Sequence, residues 1–306
     1  MLSDLQKNLL KEVAGLESIP NSAVNIRIDG KTTVRNESSN VSISSKDGKD
    51  GIEIKVKENT KNERIDIPVI LTKSGLTELV YNDFIIGDNC DVTIVAGCGI
   101  CNTGHQNSEH DGVHSFYIGK NSKVKYIEKH YGEGDGNGLN ILNPTTRIEV
   151  DEGGYFEMDT AQIKGVDSTN RVTTALLKDN ATLIVREKIM THGTQSANTE
   201  FTVDLQGVNS STHVVSRSIA KDNSKQYYVS TLNGNNKCNG RTECDAIIMN
   251  DGKVIAEPKL TANHIDASLV HEAAIGKIAG EQLIKLMSLG LTEKEAEEQI
   301  VNGFLK

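Results

Sequence analysis

The sequence has no tryptophan, four prolines and only 4% aromatic residues in 306. So few rings leave a core to be filled by aliphatic side chains, and 37% hydrophobic content over this length is enough to build one. No long apolar run occurs, which excludes a membrane-spanning helix. The amino terminus, Met1-Leu2-Ser3-Asp4-Leu5-Gln6-Lys7, lacks the basic stretch and apolar core of a secretion signal, and five cysteines is an odd number. Both absences point to a reducing cytoplasm, with thiols free or metal-bound rather than paired as disulfides. Basic residues are also short, 33 against 42 acidic, and a net charge of -9 disfavours non-specific binding to nucleic acid or anionic membrane. No G-x-S-x-G elbow is present. The glycine-rich Gly132-Glu-Gly-Asp-Gly-Asn-Gly138 is acidic and has no Lys-Ser/Thr, so it reads as a loop rather than a phosphate cradle.

What the chain does have is alternation. Residues 3 to 16 read as one amphipathic helix capped by Ser3 and ended by Pro20 and Asn21. From Val24 the period changes to two, as in Val24-Asn-Ile-Arg-Ile28 and Ile52-Glu-Ile-Lys-Val56, the mark of half-buried strands. Beyond Leu76 a repeat emerges: Ile86-Gly-Asp-Asn-Cys-Asp-Val92, Ile118-Gly-Lys-Asn-Ser-Lys-Val124, Val150-Asp-Glu-Gly-Gly-Tyr-Phe156 and Leu177-Lys-Asp-Asn-Ala-Thr-Leu183, with Met249-Asn-Asp-Gly-Lys-Val-Ile255 as a further member. Each is an apolar residue, a Gly/Asn/Asp turn and a strand. A repeat of this length means stacked units sharing one core, so the expected fold is mainly β, a parallel β-helix with aliphatic ladders inside, rather than a sandwich of antiparallel hairpins. The end of the chain returns to helix. Leu283, Leu286 and Met287 have helical spacing, Gly290 ends that helix, and Thr292-Glu-Lys-Glu295 is a capping box opening a second, which makes an αα-hairpin. The expected organisation is a helical segment over 1–22, a β-helix over 23–266 and a helical end over 267–306.

Thiols and imidazoles carry the candidate chemistry. Cys98-Gly-Ile-Cys101, with Cys90 nearby, has a spacing that suits a metal or iron-sulfur site, although the following histidines are not spaced as in a zinc finger. Cys238 and Cys244 lie in and after a Gly/Asn-rich turn, where Arg241 is placed to stabilise a Cys244 thiolate. His271-Glu272 is a weak motif alone.

Taken together, Arg241-Thr-Glu-Cys-Asp-Ala-Ile-Ile-Met249, Leu269-Val-His-Glu-Ala-Ala-Ile-Gly-Lys-Ile278, Glu281-Gln-Leu283, Gly290-Leu-Thr-Glu-Lys-Glu-Ala296 and Ile300-Val-Asn-Gly-Phe304 resemble the carboxyl-terminal region of the SufB/SufD family of iron-sulfur cluster assembly proteins. The resemblance implies a right-handed parallel β-helix flanked by helices. It implies a non-catalytic scaffold that holds sulfur or a transient iron-sulfur cluster, with Cys244, His271 and Glu272 at the family's binding positions. It also implies docking of a SufC-like ABC ATPase through the terminal helices, placed here at Glu281, Gln282, Leu283, Leu286 and Met287, and pairing of subunits as a homodimer or a SufB/SufD-type heterodimer. The chain departs from the family where an upstream sulfur-accepting cysteine is expected, reading Arg147-Ile-Glu-Val-Asp-Glu152, and Cys90, Cys98 and Cys101 are a possible compensating metal group. The alternatives are a stand-alone β-helix enzyme resembling acyltransferases, whose hexapeptide recurs in tandem as it does not here, and a structural zinc protein.

Overall fold

A computed structural model describes residues 2–305. In chain order its elements are α1 (Asp4–Ala14), β1 (Ala23–Ile28), β2 (Lys31–Asn36), β3 (Val41–Ser45), β4 (Gly51–Val56), β5 (Glu63–Asp66), β6 (Val69–Leu71), β7 (Thr77–Ile86), β8 (Asp91–Cys101), β9 (Ser108–Ile118), β10 (Lys123–Glu133), β11 (Asn140–Leu142), β12 (Thr145–Val150), β13 (Tyr155–Lys164), β14 (Ser168–Leu177), β15 (Thr182–Thr191), β16 (Ser196–Leu205), β17 (Ser211–Ala220), β18 (Lys225–Gly234), β19 (Cys238–Ile248), β20 (Lys253–Ala262), β21 (Ala267–Gly276), α2 (Gly280–Ser288) and α3 (Glu293–Phe304).

Successive strands alternate between two sheets. The first runs β2-β1-β5-β8-β10-β13-β15-β17-β19-β21, with β6 beside β1 and β8, and the second runs β20-β18-β16-β14-β11-β9-β7-β4-β3, with β12 beside β9 and β14. Neighbours are parallel except β1–β2 and β3–β4, so the chain winds as a β-solenoid of about eight turns. The repeat seen in the sequence is the winding itself: Asp91, Lys123, Tyr155 and Thr182 stand abreast on β8, β10, β13 and β15.

Each turn of the repeat needs one left-handed residue, and asparagine or glycine supplies it. Asn89, Asn121, Gly153 and Asn180 have φ of 56°, 53°, 68° and 56° at the same place in their repeats, at little steric cost for these residue types. Met249-Asn250 turns the opposite corner, from the first sheet to the second, so it is not a fifth copy of that turn.

Inside, period-two alternation buries one face of every strand. The core is not purely aliphatic. Phe84 and Phe116 are in register and stack at 4.3 Å, with Tyr126 and Phe156 edge-on to Phe116 and tilted to each other. Four of the chain's twelve rings thus meet in one region of the core, two from each sheet.

Helix α1 has a capping box at Ser3 and stops at Gly15 in the left-handed region, ahead of Pro20. It lays Leu9, Leu10, Val13 and Ala14 on the outside of the first sheet. Gly97 permits this approach, because a Cβ there would lie 2.1 Å from the Val13 carbonyl oxygen. Strand β21 occupies residues expected to be helical, since Leu269-Val-His-Glu-Ala alternates with period two. Helices α2 and α3 pack on each other, and α2 buries none of its residues.

Candidate functional site

Alternation decides what Cys244, His271 and Glu272 can do together. On β19, Thr242 and Cys244 point into the solenoid, while Arg241, Glu243 and Asp245 point out. Strand β21 is the next rung, setting His271 abreast of Thr242, Glu272 of Glu243 and Ala273 of Cys244. Cys244 and His271 are therefore diagonal neighbours on the inner face. Adjacent in sequence to His271, Glu272 must lie outside, where its carboxylate accepts from Arg241 Nη2 at 2.7 Å. The structure brings together two of the three expected residues and places the third on the outer rim of the same rung.

Both ring nitrogens of His271 are shielded from solvent and no side chain partners them; burial lowers its pKa, opposed by the Thr242 backbone, and the net lowering keeps the imidazole neutral. The Cys244 thiol is pushed up to about 12 by burial, with Glu187 and Asp245 adding to it. Arg241 does not stabilise a thiolate there. It faces the other way, bound to Glu243 and Glu272. Cys238 is a core side chain, packed beside Gly234.

The structure does not bring Cys90, Cys98 and Cys101 together. Cys90 sits at a corner, its thiol donating to the Lys57 carbonyl at 3.1 Å. Three residues apart on one strand, Cys98 and Cys101 fall on opposite faces, Cys98 inside and Cys101 under α1. Among the described residues, no group of three or more His, Cys, Asp or Glu is arranged to hold a metal ion.

Cys98 instead has imidazole neighbours. Burial alone would raise its pKa, but His110 and His130 overcome burial and bring it down to about 7. Burial would lower both histidines, yet His110 rises to about 10 beside Cys98 and Glu78, and His130 to about 9 beside Glu128 and Cys98. From this cluster a line of buried polar groups runs along the interior. Glu78 accepts from Arg27 Nε at 2.8 Å and lies 2.8 Å from His110 Nδ1. Tyr126 donates to Glu128 at 2.9 Å, Arg171 bridges Glu128 and Glu187 from the opposite sheet, and Ser216 donates to Glu187 at 2.8 Å. Glu128, Thr160, Glu187, Ser216 and Cys244 stand in register on five successive strands, so the line ends at the Cys244 thiol.

Sequence reasoning missed this interior line. The signal was present on β10, where Val124, Tyr126, Glu128 and His130 share one parity. A glutamate and a histidine on the apolar parity of a strand mark a buried polar site.

The helical hairpin leaves Leu283 and Leu286 half-buried and Glu281, Gln282 and Met287 exposed, with Ile284 and Leu289 exposed alongside them. It does not close the solenoid's last rung, where Ile255, Leu260, Val270 and Ile275 remain exposed. Among the described residues no helix is long and apolar enough to cross a membrane.

Residues 71–304 match the family model described as "SUF system FeS cluster assembly, SufBD core domain". The chain is similar to an iron-sulfur cluster assembly SufBD family protein of Archaeoglobus fulgidus, 29% identical over 79% of this chain and 65% of that protein. Another SufBD family protein, from Methanocaldococcus jannaschii, is 28% identical over 77% of this chain and 74% of its own length. A shorter stretch, 32% of this chain, is 39% identical to 22% of the iron-sulfur cluster assembly protein SufB of Bacillus subtilis. The matched part thus spans about two thirds of the length of the Archaeoglobus relative.

Proposed function

Because the chain belongs to the SufBD core family of the SUF system for iron-sulfur cluster assembly, we propose that it is a non-catalytic scaffold that holds sulfur or a nascent cluster, with Cys244 and His271 as inward-facing ligands at the open rung. The observation that carries this reading is the His271 imidazole, its ring nitrogens shielded and partnered by no side chain, one rung from a buried thiol. An unpartnered buried polar group is costly, and a metal ion is a ligand that satisfies it. Thiolate and imidazole together suit iron, and the neutral nitrogen is the weaker ligand from which a finished cluster can be released. Cys244 must surrender its proton on binding. Glu272 stands at the rim, where Arg241 holds it against the same edge.

Among the thiols only Cys98 has its pKa lowered, beside His110 and His130 inside the solenoid, where its burial keeps it from an external sulfur donor. The cluster is cargo, and the enzymatic step of the system belongs to a partner. Exposed apolar residues on α2 and at its C-cap, Ile284, Met287 and Leu289, beside Glu281 and Gln282, support docking of a SufC-like ABC ATPase there. The uncovered β20 and β21 edges support pairing of two subunits, as a homodimer or with a SufD-type chain.

Anaerobic reconstitution with iron and sulfide tests the ligand assignment. The wild-type chain gives a visible cluster chromophore, and Cys244→Ala loses most of it; an unchanged spectrum in that variant removes Cys244 from the site.

A further inference from the structure

Inward side chains of the second sheet also bear on the Cys244–His271 rung. Arg171, Thr199 and Tyr228 stand in register on β14, β16 and β18. The first two reach Glu187 on the opposite wall, Thr199 donating from Oγ1 at 3.2 Å. Tyr228, next in the row and 4% exposed, crosses the interior to the first sheet, where its hydroxyl lies 3.3 Å from Thr242 Oγ1. Thr242 is abreast of His271 and two residues from Cys244 on the same inward face. The phenol thus stands at the inner wall of the ligand pair, with the Phe201 ring beside it at 6.0 Å between centroids.

Burial raises the phenol's pKa, and Glu187 and Cys244 are near enough to add to that rise, while the hydroxyls of Thr242 and Ser230 oppose it. A threonine or serine hydroxyl can donate as well as accept. With Thr242 donating to the phenol oxygen, the phenol proton is free to turn toward the rung. On the side of the open end, β20 sets Ala256 abreast of Tyr228 and Pro258 abreast of Ser230, and neither side chain has a polar atom. In this row Tyr228 is the last donor that the second sheet presents to the pair.

We propose that Tyr228 is a further residue of the cargo site, its phenol closing the site on the inner side and donating a hydrogen bond to a sulfur of the held sulfur or nascent cluster. This rests on Cys244 and His271 as the ligands. A sulfur anion in a dry interior gains more from a neutral donor than it would in water, because charge-assisted hydrogen bonds strengthen where the dielectric is low. The same hydrogen bond makes the cluster easier to reduce, since donors to cluster sulfurs stabilise the more negative state.

Anaerobic reconstitution of the full chain with iron and sulfide, followed by a redox titration of the chromophore and by its loss to a chelator, tests this. Tyr228→Phe removes only the hydroxyl: the reduction potential is expected to shift negative, and loss to the chelator to be about tenfold faster. Tyr126→Phe removes a buried hydroxyl far along the interior, where Tyr126 donates to Glu128, and is expected to move neither quantity. Thermal melting checks that both variants are folded. A wild-type potential and loss rate in Tyr228→Phe, or an equal shift in Tyr126→Phe, overturns the proposal and leaves the ligand assignment standing. A chromophore undiminished in Cys244→Ala overturns both.

Discussion

Toward its amino-terminal end the solenoid closes each sheet with an antiparallel strand, β2 and β3, and fills its interior with paired charges: Arg27 on Glu78, Glu78 on His110, Arg171 between Glu128 and Glu187. Its other end finishes on the parallel strands β20 and β21, and the inward polar groups there, Cys244 and His271, are few and belong to no network of paired charges. The same winding therefore treats burial in two ways. Where polar groups satisfy one another they hold rungs together, and where they do not the site waits for something to bind.

The largest effect expected from this contrast is at Arg171, which is 1% exposed and lies between two carboxylates. Arg171→Met leaves Glu128 and Glu187 buried without their cation, at a cost of about 3–5 kcal/mol in denaturant unfolding. Adding Glu128→Gln and Glu187→Gln recovers most of that loss. At the open end His271→Ala has no such network to break and stays within about 0.5 kcal/mol of wild type, while the reconstituted chromophore falls. Equal destabilisation by the two changes would erase the distinction.

Acid sharpens it next. Burial holds His114 down to about 4, with the nearby cationic His110, His130 and Arg171 assisting against Glu128. A folded pKa below the unfolded 6.5 means that stability is full above pH 6.5 and is lost as pH falls toward 4, by about 3 kcal/mol for this group. His110 and His130 behave oppositely: raised to about 10 and about 9, they contribute fully below pH 6.5 and lose that contribution as pH rises through 9 to 10. Unfolding midpoints followed across pH should form a dome whose acid limb flattens in His114→Gln. An acid limb identical in that variant would place the sensitivity elsewhere.

The ends themselves give a smaller effect. Edge strand β2 presents Lys31 and Arg35, which discourage association, whereas β20 presents Ile255, 56% exposed. Ile255→Lys is expected to halve the mass measured by light scattering, and Thr33→Lys on β2 to leave it unchanged. A wild-type monomer across concentrations removes the proposed pairing.

Much of this architecture was legible beforehand, for physical reasons that differ by region. The Gly/Asn turns announced the winding because each corner needs a left-handed residue, and Asn89, Asn121 and Asn180 supply it at a fixed place in the repeat. Cys244, His271 and Glu272 were singled out together through the family resemblance, but the separation of Glu272 from the other two follows only once β21 is read as a strand. Cys98 and Cys101 looked like a pair because spacing in sequence suits a turn, and on an extended strand the same spacing sends them to opposite faces. The Cys98–His110–His130 cluster was hidden, since its members come from three strands in two sheets.

The smallest effect separates the two capping boxes. Ser3 accepts from Gln6 and Thr292 from Glu295 in the same geometry, and each glutamine or glutamate returns to its cap. Replacing either cap by alanine removes about 1 kcal/mol from its helix. What differs is where that loss is felt. Helix α1 shares a core with β1, β8 and β10 through Leu9, Leu10 and Val13, so Ser3→Ala lowers the main unfolding transition. Helix α3 belongs to a hairpin that packs chiefly on itself, so Thr292→Ala speeds hydrogen exchange in α3 without moving that transition. Should the main transition shift equally in Thr292→Ala, the hairpin is coupled to the solenoid, and its exposed face is no longer free to serve a partner.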